Sequence, residues 1–246
     1  MHLRTFPAVG IGVAALILST TFAGTATAAD PDGVSGLSAV HKSTASSSSA
    51  PGIELKKGDC FSSLKEPDGL NGIASQDLYD EAAVASGADD FECNSDKKKN
   101  RKVKKVKALG VYYNGSGPAD SFNVTVHNND GGEPADDDVK CSFPEQAYTV
   151  EGDPGTVQTF TIKVEGEKCA LKKGKTYWLE IQAVMAFATG GQWGWEVTTT
   201  QHENPADWKE NGAFGTACTE YQNGLTMEDC IFGGASGVPD FMFSVT

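Results

Sequence analysis

Six segments of this chain alternate with period two. They are VKKVKALGVYYNG (103–115), SFNVTVHNNDGG (121–132), VQTFTIKVEG (157–166), KTYWLEIQAVMAF (175–187), QWGWEVTTT (192–200) and FMFSV (241–245). Successive side chains of a strand point to opposite faces, so residues two apart share one. In the first segment Val106, Ala108, Gly110 and Tyr112 fall on one face, and Lys107, Leu109, Val111 and Tyr113 on the other. The second aligns Phe122, Val124 and Val126, and the third Phe160, Ile162 and Val164. In the fourth, Tyr177, Leu179, Ile181 and Ala183 oppose Trp178, Glu180, Gln182 and Val184. Turn-forming stretches such as NNDGG separate the segments. Short alternating strands with Gly-, Pro- and Asp-rich turns predict an all-β fold, a jelly-roll-like antiparallel β-sandwich. One short helix is expected within SQDLYDEAAVASG (75–87).

The chain opens with MHLR, an apolar run and TATAAD, which offers small-residue cleavage sites. Residues 1–28 therefore read as a secretory signal peptide cut after Ala28. Residues 29–58, with HKSTASSSSAPG, lack apolar periodicity and read as a disordered Ser-rich linker. Residues 59–246 form the sandwich domain. No second apolar run reaches about twenty residues, so the mature chain is expected to be soluble and secreted, without a membrane span.

Export also gives the six cysteines a meaning, since disulfides persist in oxidising surroundings. No pair has the C-x2-C spacing of a zinc site. Sequential pairing is expected: Cys60–Cys93, Cys141–Cys169 and Cys218–Cys230. Each bridge is worth roughly 2–4 kcal/mol.

The formal charge is −13. Losing Arg4 with the leader makes the mature chain −13 − 1 = −14. That balance argues against nucleic acid as a partner. Yet Lys97, Lys98, Lys99, Arg101, Lys102, Lys104, Lys105 and Lys107 put eight basic residues into eleven positions. The remainder is therefore −14 − 8 = −22. Lysines of this kind can be a solvated loop and edge strand that blocks stray strand pairing. They can equally form a patch for an anionic surface polymer.

Trp193 and Trp195 share a face, with Gly194 leaving room between their rings, and Trp208 follows in a polar loop. Flat rings in such an array can stack on sugars, so the three are candidate glycan-binding residues. The same rings can instead fill the core. Asp89 and Asp90, with Asp240 before the last strand, are candidate ligands for a structural Ca²⁺, a hard cation that takes carboxylate oxygens. Asn128–Asp138 is a second acidic loop without EF-hand spacing. Signals for catalysis are sparse. The domain carries His127 and His202 alone, with no G-x-S-x-G or H-E-x-x-H motif. A loop carboxylate pair such as Glu196 with Asp207 is the arrangement a glycosidase would use.

Several blocks taken together resemble a module that recurs in exported bacterial proteins and is itself uncharacterised. The blocks are SGADDFEC, ALGVYYNGSGPADSFNVTVHNNDGGEP, LKKGKTYWLEIQAVMAF, GGQWGWE and PDFMFSV, over roughly residues 75–246. The resemblance implies a jelly-roll-like sandwich on secreted or surface proteins, and implies no catalytic residues. The chain departs from that pattern at ECNSDKKKNRKVKK, where an apolar strand with a tryptophan is expected, so the basic run is particular to this protein. The resulting expectation is a non-catalytic extracellular binding or adhesion module for a glycan or other cell-surface polymer. The alternatives are a glycosidase-like hydrolase using loop carboxylates and a purely structural matrix component.

Overall fold

The alternating segments become strands where the period marks them. The computed structural model describes residues 36–42, 60–63, 67–79, 83–93, 101–166, 168–198, 200–221, 226–232 and 240–246. In chain order the strands begin with β1 (Val40–Lys42), β2 (Phe61–Ser62), β3 (Pro67–Ala74), β4 (Gln76–Asp77), β5 (Val84–Glu92) and β6 (Arg101–Lys102). Next come β7 (Lys105–Tyr113), β8 (Ser121–Asp130), β9 (Glu133–Gln146), β10 (Tyr148–Glu151), β11 (Gln158–Lys163) and β12 (Ala170–Leu171). The set closes with β13 (Thr176–Val184), β14 (Gln192–Thr198), β15 (Asp207–Glu210), β16 (Asp240–Phe241) and β17 (Phe243–Val245). Among the described residues two short helices, α1 (Phe187–Gly190) and α2 (Met227–Phe232), lie between strands.

The strands form two sheets. The first runs β1-β3-β14-β7-β11-β10 and the second β15-β5-β4-β13-β8-β9, with β5 also paired directly to β13. β6 and β12 make a separate two-stranded ribbon. Among the described strands pairing is antiparallel except between β4 and β13, which run parallel. The C-terminal residues fill a gap inside the first sheet. β14 pairs with β7 over Gln192–Trp195, and beyond that point the two diverge. There β16 pairs with β14 and β17 with β7. Met242 bridges the split, donating its N–H to Glu196 O and accepting from Leu109 N.

The core lies between the sheets, where the alternation predicts it. Val106, Ala108, Phe122, Val124, Val126, Phe160, Ile162, Leu179 and Ile181 are fully buried. Phe122 of β8 meets Trp193 of β14 edge to face, with ring centroids 5.0 Å apart. Two glycines make room for the rings. A Cβ on Gly110 would lie 2.5 Å from Trp193 Nε1, and one on Gly87 would lie 2.6 Å from Phe241 Cζ.

All three disulfides pair sequentially, as Cys60–Cys93, Cys141–Cys169 and Cys218–Cys230. The first ties the start of the domain to the end of β5. The second ties β9 to the turn before β12, and the third holds the loop after β15 against α2. Three disulfides in an all-β chain are consistent with an extracellular protein. Among the described residues no helix is long and apolar enough to cross a membrane.

Two expectations need correction. The helix expected in 75–87 gives way to strand at Gln76–Asp77 and from Val84 onward. Within it Ala85 pairs with Gln76 and Val84 with Asp77 across β5 and β4. The linker reading of 29–58 fails at Gly36–Lys42, because Val40, His41 and Lys42 pair with Ile73, Gly72 and Asn71. The signal peptide and the rest of the linker lie outside the described residues.

Candidate functional site

The three candidate tryptophans are core residues. Trp193 and Trp195 are 0% exposed and Trp208 is 1% exposed. Trp195 stacks on Phe241 with centroids 4.4 Å apart, and Trp193 packs edge-on to Phe160 and Phe122. Trp195 Nε1 donates to Met242 O and Trp208 Nε1 to Ala74 O, so two indoles reach the partner that burial demands. An exposed sugar platform at Trp193, Trp195 and Trp208 is therefore ruled out by their burial. Tryptophan emission should be blue-shifted and barely quenched by acrylamide. Strong quenching in the folded protein would contradict this packing.

Of the three candidate cation ligands the fold brings Asp89 and Asp240 together, while Asp90 projects from the opposite face of β5. Asp89 of β5 and Asp240 of β16 meet across the two sheets, not as paired strands. Asp89 Oδ2 accepts from Phe241 N at 2.7 Å and Oδ1 from Asp90 N at 2.8 Å. Asp90 Oδ2 accepts from Asn204 N at 3.2 Å and Asn204 Nδ2 at 2.7 Å. Asp240 Oδ2 accepts from the His202 amide and lies 2.9 Å from His202 Nδ1. The carboxylates thus cap the amides of His202 and Asn204 in the 200–207 loop and of Phe241 in β16. Among the described residues no three His, Cys, Asp or Glu side chains are arranged to hold a metal ion.

Burial raises the proton affinity of this group. Asp90 is pushed up to about 7 by desolvation, which outweighs its bonds to Asn204. Asp207 is pushed up to about 8, first by desolvation and then by the charges of Glu133, Asp90 and Asp229. Desolvation also raises Asp89, helped by the Asp240 charge, and raises Asp240 against the opposing pull of His202. Among the described residues, Asp90 Oδ1, Asp207 Oδ2 and Asp240 Oδ1 are buried without a hydrogen-bond partner.

The hydrolase pair is not assembled. Trp195 points into the core, so its neighbour Glu196 points to the outside of the first sheet. Trp208 points into the core from the second sheet, so Asp207 faces the outside of that sheet. The sandwich lies between the two carboxylates. Sequence reasoning missed a polar network on that second outer face. His127 Nε2 lies 3.0 Å from Glu180 Oε2, and Tyr221 OH donates to the same oxygen at 3.3 Å. Lys209 Nζ is 2.5 Å from Asp136 Oδ1 and 4.2 Å from the Tyr221 ring centroid. His127, Glu180 and Tyr221 are buried and Lys209 and Asp136 half-buried, and the network holds the 211–221 loop against the sheet through Tyr221.

The basic run gains partners that the sequence keeps far apart. Lys97, Lys98 and Lys99 lie outside the described residues, as does the Arg101 side chain. Lys102 and Lys104 are exposed, and Lys105 and Lys107 are half-buried. Lys102 pairs with Ala170 in the β6–β12 ribbon, and Val103 N donates to Cys169 O at 3.1 Å. That ribbon brings exposed Lys168, Lys172 and Lys173 to the run. Lys105 stands directly opposite Lys163 across β7 and β11. Among the described residues none of these lysines has an acidic side chain within ion-pairing distance. LKKGK (171–175) was a local signal for this extension, but its position beside 102 depends on strand pairing. The chain matches no known family profile, no curated protein and no solved structure.

Proposed function

We propose that this protein is a secreted, non-catalytic binding module that holds an anionic extracellular polymer against its lysine-rich end. The supporting observation is the directly opposed pair Lys105–Lys163, which has no acidic partner among the described residues and is flanked by Lys102, Lys104, Lys107, Lys168, Lys172 and Lys173. Like charges directly opposite on a sheet cost stability, by about 0.2–1 kcal/mol. An acidic chain that gathers them in one place gains from a ligand that neutralises them. Lysine presents a point charge on a flexible stem, whereas arginine presents a planar fork fitted to one geometry. Arg101 is the single arginine of the expected mature chain. Recognition is therefore by charge density, which suits a flexible linear polyanion.

The test is retention on heparin and on immobilised polyphosphate across a salt gradient. Exposed charge contacts are screened by salt, so the bound protein should elute as ionic strength rises. The double substitution Lys105→Glu and Lys163→Glu should weaken binding at least tenfold. Lys163→Glu alone should raise stability slightly, by about 0.5 kcal/mol, while weakening binding, because it turns a repulsive pair into an attractive one. Retention that ignores salt, or survives the double reversal, would sink the reading.

A further inference from the structure

Gln192, Tyr113 and Asn114 sit in the GVYYNG and GGQWGW blocks, and neither the core nor the lysine end uses their polar atoms. Gln192 and Tyr113 are directly opposed across β14 and β7. Asn114 follows in the left-handed region, at φ 54°, a conformation asparagine tolerates. Together the three side chains grip the backbone of an extended peptide. Gln192 Oε1 accepts from Ser38 N at 3.0 Å, and Gln192 Nε2 donates to Ser38 O at 3.0 Å. Tyr113 OH donates to the same carbonyl at 2.7 Å. Asn114 Nδ2 donates to Gly36 O at 3.1 Å and to Gln192 Oε1 at 2.8 Å, which orients the glutamine amide. The β3 edge completes the clamp, with Ala74 N donating to Ala39 O at 2.9 Å, and His41 stacks on Tyr113 at 5.0 Å.

The occupant is the chain's own segment Gly36–Lys42, held as an added edge strand in the manner of β-augmentation. Nearly every bond is made to its backbone, so nothing in the recognition requires that segment and clamp belong to one molecule. Residues 43–59 join the segment to Cys60. At about 3.3 Å per residue these seventeen positions can span up to roughly 56 Å. A domain of this size has a radius of gyration of about 16 Å. We propose that Gly36–Lys42 is an exchangeable strand, and that the Gln192–Tyr113–Asn114 clamp takes the same segment from a second copy of this chain.

Exchanging an identical element between protomers creates no new contact and breaks none, which makes it a low-cost route to association. Within one chain the tether supplies an effective concentration near the millimolar range, so dilute protein stays closed on itself. Exchange becomes populated when copies crowd or when closure within the chain is disabled.

Complementation separates these cases. One full-length variant carries Gln192→Ala with Asn114→Gly, which leaves a good segment and a broken clamp. The other carries Ser38→Pro, which removes the N–H that Gln192 accepts and leaves a good clamp with a broken segment. Each alone should sediment as a monomer at 100 µM. Mixed, they should form a one-to-one heterodimer, because the intact segment of the first finds the intact clamp of the second. Absence of heterodimer up to 1 mM, with both variants folded by circular dichroism, would overturn the proposal. A second measurement guards against misfolding. Wild-type chain with a protease site inserted among residues 43–59 is cut, and a fluorescent peptide spanning 33–42 is added. Saturable binding that displaces the native segment supports exchange, whereas a segment that never exchanges, or whose loss unfolds the domain, refutes it.

Discussion

Trp195→Ala will lower the unfolding free energy by about 3–5 kcal/mol, the cost of emptying a large aromatic site that cannot collapse. For a domain of this length that corresponds to a fall in Tm of roughly 6–20 °C. The ring is 0% exposed, stacks on Phe241, meets Phe243 at 5.8 Å and donates to Met242 O. Removing it opens a cavity between the sheets and takes one of two donors from the buried Met242 carbonyl, which keeps its bond from Leu109 N. Gly110→Ala probes the same cluster from the other side. Its methyl would meet three atoms of Trp193 at 2.5–2.6 Å, and Trp193 is held by Phe122, Phe160 and Trp195. Overpacking of this kind costs about 1–3 kcal/mol. Guanidinium denaturation with the disulfides intact measures both. A change under 1 kcal/mol for Trp195→Ala would mean that these rings do not hold the sandwich together.

The second large effect is on pH. Asp207 is held at about 8 in the folded state against an ordinary value of 3.8, and Asp90 at about 7. A carboxyl whose folded value is raised keeps its proton in the folded state while the unfolded chain has released it. Between the two values the folded state binds more protons, so stability falls as pH rises. The contribution is full below the unfolded value of 3.8, falls steadily across the interval, and is gone above about pH 8. For Asp207 the window from pH 5.5 to 8 spans about 2.5 pH units, or roughly 3 kcal/mol at about 1.4 kcal/mol per unit. Asp90 adds to the same trend, less steeply. The protein should therefore melt several degrees higher at pH 5.5 than at pH 8. Asp207→Asn, which keeps the shape and removes the titration, should flatten much of that dependence and stabilise the protein at pH 8. Equal melting temperatures at both pH values would show that this carboxylate is not desolvated as the packing implies.

Asp207 also shows why part of the candidate site was hidden. In the sequence it is one acid among many in a polar loop, close to His202 and Glu203. Its burial comes from β15 adding to the edge of β5, where Asp207 pairs with Ala88. Nothing local to NPADWKE announces that pairing. Asp89 and Asp240 were legible as a pair that could converge, because they border the two ends of the domain's chain. The sheets they belong to were not.

The period-two alternation determined the all-β class, the strands that carry the core and the faces that residues share. The even cysteine count pointed to disulfides, and of the fifteen pairings it allows the structure adopts the sequential one that was expected. What alternation does not carry is which face meets the core when both faces are covered. On β14 the outward set Gln192, Glu196 and Thr198 is as buried as Trp193 and Trp195, so a polar–apolar contrast could not place the rings. Sequence distance hid the rest. Lys105 and Lys163 are separated by 58 positions and become neighbours through the β7–β11 register. Ser38 and Gln192, 154 positions apart, meet through a three-residue strand too short to show any period. Local pattern reports what each residue's neighbours in the chain demand. The lysine end, the carboxylate cluster and the peptide clamp are made by pairings between distant strands, and only the assembled sheets decide those.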